Sequence, residues 1–226
     1  MPPVPKKVAD RMIEGLKKFQ PILASAHDRD VNEANTVVIV TDMLSYIFGY
    51  DKYSEITAEH NIRGTFCDLA IVIETELRFI IEVKAIGMEL KEAHVRQAID
   101  YAANKGVDWA ILTNGIIWRI YRVIFGKPIE QELVIEFSVN ELNAKDPSDL
   151  ETLFLIAREG LNKSALSEYQ TQLQATNRFT LAATILSEPV LKVIRKALRQ
   201  LSPDIGISEG APFVVEGEVA APIAIN

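Results

Sequence analysis

The chain predicts an α/β protein of the α+β kind, a mixed β-sheet flanked by helices and followed by additional C-terminal helices. Three observations carry that expectation. Apolar positions recur at helical spacing before residue 50 and after residue 147, and short β-branched runs bounded by turn residues fill the middle. A helical pattern separates two of those runs, which suits a right-handed crossover between parallel strands.

The elements follow in order. In residues 8–24, Val8, Met12, Ile13, Leu16 and Phe19 form a helical stripe that Pro21 is expected to kink or end. Asp30 with Glu33 resembles a capping box, after which Val37, Val40, Met43, Leu44 and Ile47 line one helix face until Gly49. Glu33 is either that cap or a third acid leaning over the central hairpin. Residues 55–60 suit an edge strand and 61–64 a turn. Two apolar runs, 67–73 and 78–84, then read as a hairpin. Residues 89–105 read as a helix with His94, Gln97 and Tyr101 along one side and Gly106 as its C-cap. The run Trp109–Thr113, the pair Asn114-Gly115 and the run 116–124 form a second hairpin, and 129–139 adds a last strand.

From Pro147 the pattern is helical again, with Leu150, Phe154, Ala157 and Leu161 on one stripe. A later helix, 189–201, carries Lys192, Arg195, Lys196 and Arg199 on one side, a set that either touches phosphates or forms a solvated face. These readings divide the chain into an N-terminal helix (1–30), a core (31–145), a helical extension (146–203) and an extended or flexible tail (204–226).

Composition narrows the function classes. The net charge of −7 argues against indiscriminate nucleic-acid binding, yet residues 60–127 hold 9 Lys and Arg against 8 Asp and Glu, so the acidity lies elsewhere. The single Cys67 excludes an internal disulfide and suits a reducing, cytoplasmic setting. No apolar run approaches the roughly 20 residues of a membrane span.

The chemistry concentrates in the first hairpin. A turn near Thr75 brings Asp68 level with Glu82, and the period of two sends Glu82 and Lys84 the same way. Two carboxylates among Leu, Ile and Val repel each other and lose hydration unless a cation, a protonation change or an exposed rim relieves them. The alternative is a hairpin whose solvent face carries ordinary charges.

The ordered set of Asp68, Glu82-Val83-Lys84, Gln97-x-x-x-Tyr101 and the run from Trp109 through Asn114-Gly115 and Trp118 to Tyr121 resembles the N-terminal nuclease domain of type I restriction enzyme R subunits, of the PD-(D/E)xK superfamily. The similarity covers residues 31–123, including Asn32-Glu33-Ala34-Asn35-Thr36 as the acidic start of the first core helix. It implies a restriction-endonuclease-like core that hydrolyses phosphodiester bonds of nucleic acid, DNA first. Asp68, Glu82 and the backbone carbonyl of Val83 would hold Mg²⁺, with Mn²⁺ as a substitute, and Lys84 would orient or help deprotonate a water. Gln97 and Tyr101 are implied as supporting residues and Glu33 as an indirect one, while His94 matches no family role.

This chain departs from the pattern in three ways. Cys67 stands where the family has Pro, no G-x-x-x-x-G-K-[ST] phosphate loop occurs, and the acidic balance leaves a homodimer or a partner subunit to supply nucleic-acid binding or translocation. Two functions therefore stand: a metal-dependent nuclease in a restriction or defence context, or a non-catalytic nucleic-acid-binding or assembly module on the same fold.

Overall fold

Helix α1 (Lys6–Asp28) keeps its buried stripe of Met12, Leu16, Phe19, Leu23 and Ala26 on both sides of Pro21. The helix does not end at Pro21. Pro21 and Lys17, whose carbonyl loses its helical donor, both lie on the exposed side of the helix. The computed structural model describes residues 3–62 and 65–201, which divide into two compact units with the boundary between Ser167 and Glu168. The expected turn at Arg63 and Gly64 and the expected tail from Asp204 lie outside the described residues.

In the first unit α2 (Glu33–Tyr46) is followed by β1 (Ile56–Ile62), β2 (Thr65–Ile73), β3 (Glu76–Val83), α3 (Glu92–Lys105), β4 (Trp109–Thr113), β5 (Ile117–Ile124) and β6 (Glu130–Ser138). The sheet order is sequential from β1 to β6. Only β3 and β4 pair in parallel, and α3 makes the crossover between them. The mixed sheet flanked by helices is the fold class that the residue pattern predicts.

Both faces of the sheet are covered, which explains why β4 reads as an unbroken apolar run. Beneath α3, Val95, Ala98, Ile99 and Ala102 pack with Ala70, Ile80, Ala110 and Leu112. At the opposite side, Trp118 is fully buried with Phe48, their ring centres 5.1 Å apart. Gly15 lets α1 meet the end of α2, since a Cβ there would lie 2.7 Å from Ile47 Cγ1.

Two further expectations need correction. Asn32, not Asp30, caps α2, its side chain accepting a hydrogen bond from the Asn35 amide, which leaves Glu33 as the first helical residue. The stripe from Leu150 to Leu161 is two helices, α4 (Pro147–Phe154) and α5 (Arg158–Asn162). Tertiary hydrogen bonds replace the helical ladder at the break: the Tyr50 hydroxyl donates to the Ile156 carbonyl at 2.6 Å, and the Arg158 amide donates to the Phe48 carbonyl at 2.9 Å.

Helix α6 (Ala165–Thr176) crosses the boundary between the units. The second unit continues with α7 (Arg178–Ile185) and α8 (Glu188–Leu201), neither of which contains a buried residue. No helix among the described residues is long and apolar enough to cross a membrane.

Candidate metal and catalytic site

The site is built at the ends of β2 and β3 by an unusual hairpin. Residues Glu74 and Thr75 form a two-residue turn, both with positive φ, closing the pair Ile73↔Glu76. Continued without interruption, that register would set Asp68 opposite Ile81. A bulge intervenes: Ile71 pairs with Phe79 while Val72 pairs with Leu77, leaving Arg78 as the extra residue. The pairing then runs Leu69↔Ile81, which brings Asp68 level with Glu82.

Four charged side chains meet there. The Asp68 Oδ2 accepts a hydrogen bond from the Val83 amide at 2.7 Å. Glu82 is only 4% exposed; its Oε1 accepts from the Lys84 Nζ at 2.7 Å. Its Oε2 is buried and has no hydrogen-bond partner among the described residues. Lys84 Nζ also lies 3.6 Å from Glu33 Oε2, so the first residue of α2 leans over the hairpin. A cleft of about 450 Å³ opens beside this cluster, lined by Glu33, Ala34, Val37, Ala58 and Asp68.

Three carboxylates against one ammonium leave excess negative charge. Burial pushes the Glu82 carboxyl up; the Lys84 hydrogen bond and charge pull against it, the charges of Asp68 and Glu33 act with it, and the net displacement is upward. For Lys84, burial acts downward. The hydrogen bond to Glu82 and the charges of Glu82, Glu33 and Asp68 outweigh it and hold the ammonium above its ordinary value.

Among the described residues no group of three or more His, Cys, Asp or Glu side chains is arranged to hold a metal ion. A cation at this site would therefore rest on Asp68 and Glu82 with the Val83 carbonyl, and water would complete its shell. The orphaned Glu82 Oε2 fits such an occupant, because a buried carboxylate oxygen without a donor is otherwise an uncompensated cost.

The remaining expected residues divide. Tyr101 lies on the buried face of α3; burial pushes its hydroxyl up, with a smaller push from Cys67, the neighbour of Asp68. Gln97, one turn earlier, is exposed. His94 has a local role, its Nδ1 accepting from the Lys91 amide at 3.2 Å near the start of α3.

Two residues that the sequence reading did not single out brace the segment after Lys84. The buried Thr36 Oγ1 donates to the Asn32 carbonyl at 3.0 Å and accepts from the Ile86 amide at 3.1 Å, tying the start of α2 to that segment. The Asn114 Nδ2 donates to the carbonyls of Ile86 and Met88, and its Oδ1 accepts from the amides of Ile116 and Ile117. In the sequence Asn114 stands as a turn residue of a motif hairpin and Thr36 closes the motif at the start of a helix; neither shows there which segment it holds.

With the site assembled from β2, β3 and the residues after them, the comparison with known families becomes decisive for that segment. Residues 39–133 match the family model of the type I restriction enzyme R protein N terminus. The R protein match spans Asp68, Glu82, Lys84, Gln97 and Tyr101 and leaves Glu33 just outside. It agrees with the resemblance carried by those motifs. No curated protein and no solved structure matches the chain.

Proposed function

We propose that the first unit is a divalent-metal-dependent nuclease core that hydrolyses phosphodiester bonds of nucleic acid, DNA first, in a restriction or defence setting. The observation that carries this reading is the Glu82 Oε2, buried and unpartnered beside a second carboxylate. The match of residues 39–133 to a restriction enzyme family and the resemblance to the PD-(D/E)xK pattern support it.

Asp68, Glu82 and the Val83 carbonyl are the groups that would hold Mg²⁺, a hard cation that takes oxygen ligands and keeps several waters. Bound there, the ion would lower the pKa of a water and stabilise charge developing on the phosphate. The protein's own part is orientation. The Val83 amide fixes Asp68, and Lys84, an ammonium held between Glu82 and Glu33, donates hydrogen bonds toward a water or a phosphate oxygen. The water oxygen forms a bond to phosphorus and gives up a proton to solvent, the P–O bond to the leaving group breaks, and the leaving oxygen takes up a proton from solvent. The cleft beside Glu33 and Asp68 gives the scissile group its approach.

A second reading is favoured by one observation: Lys84 already closes an ion pair on Glu82, as it would in a site that binds or assembles without cleaving. Calorimetric titration of Mg²⁺ and Mn²⁺ into the protein and into Asp68→Ala, paired with a supercoiled-plasmid assay, decides between them. Metal binding and nicking that both vanish in Asp68→Ala, with Lys84→Ala also inactive, are expected. Absence of metal binding and nicking in the unaltered protein would overturn the nuclease reading in favour of the second.

A further inference from the structure

Helix α8 concentrates positive charge in a chain whose net charge is −7. Lys192, Arg195, Lys196 and Arg199 recur at i, i+3, i+4 and i+7 and share one face, against the single acid Glu188. Lys192 with Lys196, and Arg195 with Arg199, are like-charge pairs one turn apart, an arrangement that destabilises a helix in isolation. Glu188 offsets part of that repulsion, its carboxylate 3.4 Å from the Arg195 guanidinium.

The two faces of α8 are differently exposed. Val190, Leu191, Ile194 and Leu198 are half-buried, whereas Lys192, Lys196 and Arg199 are exposed. Outward the helix presents these cations, with Val193 and Leu201 as its exposed large apolar side chains. Together Glu188, Lys192, Arg195 and Arg199 line a recess of about 390 Å³. A water occupies about 30 Å³, so the recess admits a phosphate group.

We infer that α8 binds the phosphate backbone of a nucleic acid. At about 1.5 Å per residue, Lys192 and Arg199 lie about 10 Å apart along the helix, the span of about three phosphates of one strand. An anionic lipid surface fits less well, because an interfacial helix presents a continuous apolar face to the bilayer, whereas on α8 Val190, Leu191, Ile194 and Leu198 are half-covered and only Val193 and Leu201 of the large apolar residues stand exposed. The inference stands on the second unit and does not depend on the metal reading of the first.

The test is fluorescence anisotropy of a labelled DNA duplex with the full chain in EDTA, across a KCl series. It compares the unaltered protein with Lys192→Ala/Lys196→Ala/Arg199→Ala and with the charge-retaining Lys192→Arg/Lys196→Arg. Alanine favours the helix, so circular dichroism should be unchanged. Loss of three phosphate contacts lowers the slope of log K against log salt by about 2.7. Raising KCl from about 50 to about 200 mM then weakens the unaltered protein about 40-fold more than the alanine variant. The arginine variant should track the unaltered protein. The inference is overturned if the duplex is not bound, if the alanine variant keeps the slope, if the arginine variant loses it, or if phosphatidylglycerol vesicles are bound and the duplex is not. Duplex binding without cleavage once Mg²⁺ is restored would defeat the nuclease reading alone.

Discussion

The Asp68 carboxylate accepts a 2.7 Å hydrogen bond from the Val83 amide, across the end of the β2–β3 pair. One short bond thus joins the first acid of the site to the residue between Glu82 and Lys84. A backbone donor orients this acid without adding positive charge, so the excess of carboxylates is kept for a cation.

Glu82 should contribute to function and little to stability. Glutamine keeps the shape and removes a buried charge whose second oxygen lacks a partner, while Lys84, 3.6 Å from Glu33, keeps a carboxylate beside it and is not left as an uncompensated charge. Glu82→Gln is expected to lower cleavage at least about 100-fold, as loss of a charged group at a reacting centre does. Urea unfolding should show stability unchanged or raised by about 1 kcal/mol. A large destabilisation would assign Glu82 to the fold.

Metal should stabilise the fold through the same residues. At a concentration of Mg²⁺ about 100 times its Kd, binding to the folded state alone adds about 2.7 kcal/mol. Thermal unfolding should show a raised midpoint for the unaltered protein and none for Asp68→Ala. Equal shifts in both would place the ion elsewhere.

Thr36 should act on the site through the segment that follows Lys84, since its hydroxyl joins the Asn32 carbonyl to the Ile86 amide. Thr36→Val keeps the shape and leaves the Ile86 amide without its acceptor, at a cost of about 1–3 kcal/mol. Turnover is expected to fall about tenfold with the metal Kd unchanged, and Thr36→Ser should restore it. Failure of serine to restore turnover would reduce Thr36 to packing.

The pair Arg11 and Glu159 predicts acid sensitivity. The two terminal guanidinium nitrogens, Nη1 and Nη2, donate to the carboxylate at 2.6 and 2.8 Å and tie α1 to α5. Burial alone would raise the Glu159 pKa, but the hydrogen bonds and charge of Arg11 hold it below the ordinary value. A carboxyl depressed on folding contributes stability above its unfolded pKa of about 4.3, lost as pH falls through the lower folded value. With both side chains about a third exposed, Arg11→Ala should cost about 1 kcal/mol at pH 7, and the difference should shrink at pH 3 in urea titrations.

Much of the architecture is legible in local pattern. The strand runs, the crossover helix ending at Gly106 and the hairpin around Asn114-Gly115 depend on periodicity and turn chemistry, which act over a few residues. Pro21 misleads because its effect depends on which side of α1 faces solvent. The α4–α5 break is invisible for a similar reason: its cause lies in Phe48 and Tyr50, over 100 residues away in the chain. Thr36 and Asn114 acquire their second partners only when α2 and the β4–β5 turn close on the residues after Lys84.

The amino-acid sequence by itself determined which residues are available to the site: Asp68 in one run, Glu82 and Lys84 in the next, and Glu33 at the start of a helix. A turn near Thr75 already suggests that Asp68 lies level with Glu82; only the tertiary structure decided how that level is reached and that Glu33 joins them. The two-residue turn at Glu74 and Thr75 sets a register one residue out, and the bulge at Arg78 corrects it. In a strand pair a slip of one residue sends every side chain to the other face, so alignment of the two carboxylates depends on a local irregularity that alternation cannot encode.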